Sequence, residues 1–195
     1  MDKNYIIGID EAGKGPIAGP VCVAVFKANK SFLQRMMDEI NLPLRDSKKL
    51  TKNMKNKWYS YLVDCKNDDR CDFAYSFVSA EMIDKFGISK AIKKALETAL
   101  SKIGSSKDFI YLDGRLKAPE KYIHQKTIIK GDELHPIISL ASIIAKVSRD
   151  RVMFNFSKKY PNYRFEKHVG YGTKAHYQAI KSNGLTPIHR KSFIH

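Results

Sequence analysis

Hydrophobic positions along this chain fall into two kinds of run, and their spacing predicts an alternation of strands and helices. Tyr5 to Ile9, Val21 to Phe26 and Phe109 to Leu112 are short, apolar and closed by turn chemistry, the pattern of strands buried on both faces. Asp72 to Val78 alternates as a further strand, and Thr127 to Ile129 makes a fifth. The first two are joined by a short glycine turn, so they should be antiparallel neighbours. Elsewhere the period changes to that of a helix. Ser31 to Ile40 reads as a short helix, and Thr51 caps one whose Met54, Trp58, Leu62 and Cys65 share a face. Ser79 opens a helical stretch that Gly87 interrupts, and Ser89 caps a longer helix with Ile92, Ala95, Leu96, Ala99, Leu100 and Ile103 inward. Pro136 to about Lys158 is the longest helix, with Ile137, Leu140, Ile144 and Val147 as its stripe, and Lys174 to Asn183 is the last.

What closes three of the strands is more informative than the strands themselves. The first runs into Asp10 and Glu11 and then a glycine-rich basic turn, Gly13-Lys14-Gly15; the fourth ends in Asp113-Gly114; the fifth is followed by Lys130-Gly131-Asp132. Open α/β sheets place their sites at the carboxyl ends of strands. Any one of these acids is ordinarily a solvated turn residue, but three repeats of the pattern point to a shared metal site, because neighbouring carboxylates repel unless a cation lies between them. Asp150 is a reserve candidate, since its spacing from Lys146 is that of a helical surface ion pair. Gly8-x-x-x-x-Gly13-Lys14 also comes close to a phosphate-cradling P-loop, but Gly15 has no hydroxyl for Mg²⁺ and the acids inside the motif would repel phosphate.

Charge narrows the partner. The 195 residues carry 35 Lys plus Arg against 20 Asp plus Glu, a formal charge of +15 with pI near 9.7, which favours a polyanion such as nucleic acid. Tyr163, Arg164, His168, Tyr171, His176, His189 and Arg190, in the loop-rich C-terminal part, are residue types that a nucleic-acid groove uses, although each taken alone is more often structural, and a helical His is usually a satisfied surface or core residue. Cys22, Cys65 and Cys71 form no CxxC pair, so neither a disulfide framework nor a zinc site is expected. There is no signal-peptide pattern and no apolar stretch of membrane-spanning length, which leads to the expectation of a cytoplasmic protein without membrane association.

Taken in succession, the motifs resemble ribonuclease HII along almost the whole chain. They are Asp10-Glu-Ala-Gly-Lys-Gly-Pro16, Asp46-Ser-Lys-Lys-Leu50, Leu112-Asp-Gly114, Lys130-Gly-Asp132, Ala141-Ser-Ile-Ile-Ala-Lys-Val147 with Arg149-Asp150, His168-x-Gly-Tyr-Gly-Thr173 and His189-Arg-x-Ser-Phe193. The resemblance implies an α/β, RNase H-like fold: a central five-stranded mixed sheet flanked by helices, with residues 1–158 as the catalytic domain and 159–195 as a loop-rich, helical extension of it. It implies an endonuclease that cuts RNA paired to DNA, and single ribonucleotides embedded in duplex DNA, leaving 5′-phosphate and 3′-hydroxyl ends. Asp10, Glu11, Asp113 and Asp132 match the family's four acids, which would hold two Mg²⁺ or Mn²⁺ ions about 3.5 to 4 Å apart. Gly13, Lys14 and Gly15 match a substrate-gripping turn that usually reads Gly-Arg-Gly, so Lys14 keeps the charge without the planar fork. Tyr171 matches a tyrosine that stacks on the sugar after the ribonucleotide, and Ser47, Lys48 and Lys146 are further backbone contacts. A monomer is expected, with protein partners left open. Two rival classes remain: a nucleic-acid binding module without activity, and a P-loop nucleotide-binding protein.

Overall fold

The computed structural model describes residues 5–39 and 50–194. In chain order the elements are β1 (Tyr5–Ala12), β2 (Val21–Asn29), α1 (Lys30–Glu39), α2 (Lys52–Asn67), β3 (Cys71–Val78), α3 (Ala80–Phe86), α4 (Ile88–Ile103), β4 (Phe109–Asp113), β5 (Gln125–Ile128), α5 (Gly131–Leu134), α6 (Pro136–Lys159), α7 (Phe165–His168) and α8 (Lys174–Asn183). Short 3₁₀ turns occupy Pro161–Tyr163 and Lys191–Phe193. The strands form one mixed sheet of order β3-β2-β1-β4-β5, with β1 antiparallel to β2 and parallel to β4. This is the expected α/β architecture. Among the described residues no helix is long and apolar enough to cross a membrane.

The two-residue period of the strands distributes their side chains between two cores. Ile7 and Ile9 of β1, with Val21, Val23 and Val25 of β2, pack against α4. Ile6 of β1, with Cys22, Ala24, Phe26 and Ala28 of β2, faces α2 and α6. Gly8 belongs to the second face, and there a Cβ would run into the Ile137 carbonyl, so this glycine lets the first turn of α6 lie directly on the strand. Asp10 follows in the same alternation and is thereby delivered to the α6 side. The buried cysteines are all free thiols.

Several boundaries differ from the sequence expectation for identifiable reasons. Gly87, not Ser89, is the N-cap of α4: at φ +82° it ends α3 and starts α4 in one residue, leaving Ser89 inside the helix. α6 does not bury a single stripe, because its first half runs between the sheet and its surroundings and is buried nearly all round, from Ile137 to Ala141 without a break. β5 starts two residues earlier than expected and ends one earlier, and it is a half-exposed edge strand rather than an apolar one. Ile129, which follows it, is 78% exposed.

Candidate active site

Strand register assembles the acids. β1 and β4 are parallel with Ile9 opposite Leu112, so the next residue of each strand, Asp10 and Asp113, emerges at the same level. Glu11, still within β1, completes a trio whose carboxylate oxygens lie within 4.8 Å of one another. Asp132 lines the same cleft but stands outside that trio. It sits in the single turn of α5, whose Gly131 and Asp132 amides both donate to Asp113 Oδ1, at 2.6 and 3.3 Å. Asp113 is therefore held by the segment that carries Asp132. The pattern of apolar strand, glycine and acid holds for the first two acids; for Asp132 the preceding strand is half-exposed and the acid lies in a helical turn.

The cleft has a volume of about 490 Å³ and is lined by the four acids together with Gly13, Lys14, Gly15, Lys55, Ser142, Lys146 and Tyr171. Asp10 is 5% exposed. Burial, and then the charges of Glu11 and Asp113, push its carboxyl well above the usual range; hydrogen bonds from Ser142 and the Glu11 amide oppose this and do not prevail. Glu11 is raised as well, by burial first, with Lys14 pulling it down and Asp113 pushing it up. A buried carboxylate cluster of this kind is what a divalent cation relieves. An all-oxygen donor set without Cys or His suits hard ions of the Mg²⁺ or Mn²⁺ type.

On the open side, Tyr171 is 47% exposed, and its ring would be 3.9 Å from a Cβ added at Gly15. The glycine turn and the tyrosine thus face each other. Lys146 lines the cleft and pairs with Asp150 at 2.8 Å, as their spacing predicts. Asp150 itself opens onto an adjoining basic groove of about 730 Å³ with Lys52, Lys55, Arg151 and Lys167, not onto the acid cleft. Ser47 and Lys48 lie outside the described residues. Gly8 to Ala12, which a P-loop would need as a phosphate-wrapping loop, is strand paired with β2 throughout, and Gly8 and Ile9 pair with β4 as well.

Of the two readings open for the C-terminal set, the structural one holds for most of it. Tyr163, His168, His176, His189 and Arg190 do not line a groove; they are 5%, 9%, 0%, 2% and 0% exposed. His168 stacks on His176 with ring centroids 4.3 Å apart, and His176 meets His189 through their Nε2 atoms at 3.0 Å. Surrounding partners assign each ring a neutral tautomer. Gly170 N donates to His168 Nδ1, whose Nε2 faces the Tyr163 carbonyl. Thr186 N donates to His189 Nδ1, leaving the His189 Nε2–H to donate to His176, whose Nδ1 faces the Tyr171 carbonyl. Of the C-terminal set, Tyr171 and Arg164 are the exposed ones. Sequence reasoning also missed Ser142 and Lys55 in the cleft; the motif block around Ser142 contained the first, whereas no local signal marked the second.

A sequence model of ribonuclease HII matches residues 7–195. The Acetivibrio thermocellus ribonuclease HII is 43% identical over 97% of this chain and 70% of its own length. That of Fusobacterium nucleatum is 44% identical over 100% of this chain and 87% of its own. Among solved structures, ribonuclease H2 from Pyrococcus horikoshii superposes with a TM-score of 0.77 at 26% identity, covering 96% of this chain and 93% of that one.

Proposed function

The chain belongs to the ribonuclease HII family, an endonuclease acting on the RNA strand of RNA–DNA hybrids, and we propose that it also cuts at single ribonucleotides within duplex DNA by two-metal-ion hydrolysis, leaving 5′-phosphate and 3′-hydroxyl ends. The observation that carries this reading is the trio Asp10, Glu11 and Asp113, three carboxylates brought within 4.8 Å at the carboxyl ends of paired strands in a basic protein. A module that only bound nucleic acid would gain nothing from acids that repel phosphate.

Asp10, Glu11, Asp113 and Asp132 would hold the ions, Mg²⁺ or Mn²⁺. When bound, these supply the Lewis acidity that activates a water and stabilises the departing 3′-oxygen. The chain's own part is placement. Asp10 and Glu11 are fixed by the β-ladder, and Asp113 by the two amides of α5. The Gly13-Lys14-Gly15 turn and Lys146 meet the substrate backbone, and the Tyr171 ring packs on the sugar beside the ribonucleotide. The test is a DNA duplex containing one ribonucleotide, incubated with and without Mg²⁺. Metal-dependent cleavage at the ribonucleotide supports the reading, and an intact strand in both conditions refutes it.

A further inference from the structure

Two arginines are buried without reaching the acids. Arg190 is 0% and Arg149 1% exposed, and the hydrogen bonds of their guanidinium groups go to backbone carbonyls. Arg190 Nη2 donates to Gly13 O at 2.7 Å, Nη1 to Lys14 O at 3.1 Å and Nε to Gly19 O at 2.9 Å. Arg149 donates to Pro20 O at 2.9 Å, Ala18 O at 3.1 Å and Val169 O at 2.9 Å, the last of these two residues before Tyr171. Burying two like charges side by side is costly, and burial together with Arg149 lowers the Arg190 guanidinium to about 9. The return is geometric. No peptide among the described residues is cis, and in a trans peptide the N–H points opposite to the C=O. Pulling the Gly13 and Lys14 carbonyls inward onto Arg190 therefore turns the amides of Lys14 and Gly15 outward, on the side where both residues are exposed and line the cleft. Neither amide has a protein acceptor among the described residues. Two successive outward amides form a nest for an oxygen ligand, directly opposite Tyr171.

We propose that Arg190, supported by Arg149, is a positioning residue for sugar discrimination: it aims the Lys14 and Gly15 amides at the ribose and phosphate oxygens while Arg149 holds the Tyr171 segment in register against them. The proposal rests on the ribonucleotide-directed reading above and adds to it the groups that set the geometry. Lys14 and Tyr171 would touch the substrate; the arginines act through them.

The test is equilibrium affinity in Ca²⁺, an oxygen-seeking ion used in place of the catalytic metal, for two duplexes identical except that one carries a single ribonucleotide. Wild type should prefer the ribonucleotide duplex. Arg190→Lys keeps a charge but cannot span three diverging carbonyls, so it should lose about ten-fold of that preference, the scale of one hydrogen bond. Its affinity for the all-DNA duplex should change little. Arg149→Lys should show the same loss in smaller measure, and it serves as the second arm should Arg190→Lys prove unstable. Leu96→Ala, a core truncation remote from the cleft, controls for lost stability and should keep the full preference. Retained preference in both arginine variants, or an equal loss in Leu96→Ala, overturns the inference alone. A wild-type protein that binds the two duplexes alike overturns the reading of the site, and the inference with it.

Discussion

The acid cleft at the end of the sheet and the histidine knot of the C-terminal extension are both dense in titratable side chains, yet they are built on opposite terms. In the cleft, burial first and then neighbouring carboxylate charge push Asp10 and Glu11 toward their protonated forms, and their hydrogen bonds do not offset this. In the knot, His168, His176 and His189 hand their hydrogen bonds from ring to ring and to backbone, so that each ring is neutral and satisfied. Residue types alone do not separate the two cases. What separates them is whether the buried groups complete one another or leave a charge that something from outside must complete.

The sharpest way to break this comparison is to treat both regions alike. Asp113→Asn should lower turnover about 10³-fold or more, the scale of losing a group that stabilises developing charge, while leaving folding intact and substrate affinity similar or tighter. Steady-state kinetics and duplex binding check this, and unchanged turnover at saturating Mg²⁺ would remove Asp113 from the site. His176→Ala should do the reverse. It should cost about 2 to 3 kcal/mol of stability, by leaving the His189 Nε2–H unpaired in a buried place and emptying the space the ring fills, as read by denaturant unfolding. Turnover of the folded enzyme should fall much less than in Asp113→Asn.

Much of this was legible in the chain, and the misses share a cause. β1, β2, α2, α8 and the acids at the ends of β1 and β4 follow from local periodicity and turn chemistry. The burial of Arg190 and the histidines does not, because their partners are distant in sequence: Arg190 bonds to carbonyls more than 170 residues away. A histidine satisfied by another histidine looks, in sequence, like one exposed to solvent. Asp132 lines the cleft, although the apolar strand expected before it is not what the fold contains. The exchange of Ser89 for Gly87 at the α4 cap was a local error, since a positive-φ glycine can serve two helices at once.

Smaller effects refine the contrast. Tyr171→Ala should lose about 1 to 3 kcal/mol of substrate contact, whereas Tyr171→Phe keeps the ring face and should lose little. Equal losses would assign the contact to the hydroxyl. The knot should also show itself on acidification. His176 is lowered by burial to about 4 from an ordinary 6.5, so between those values the unfolded chain binds more protons than the folded one. Stability is then full above about 6.5 and declines as the pH falls toward about 4. Thermal melts across that window should show the decline, and His176→Asn should flatten it; an unchanged slope would disconnect the knot from acid sensitivity. Smallest of all is Lys14→Arg, which should preserve or slightly raise turnover by restoring a bidentate phosphate grip.

Most direct is the melting temperature of wild type and Asp113→Asn as Mn²⁺ is added. If the cleft is a charge cluster awaiting cations, metal-free Asp113→Asn should melt above metal-free wild type, because one of three repelling charges is gone. Mn²⁺ should then raise the wild-type midpoint, by about 2.7 kcal/mol of stabilisation at a hundredfold excess over Kd, and should move the variant far less. An equal rise in both proteins, or a metal-free variant less stable than wild type, would contradict the account.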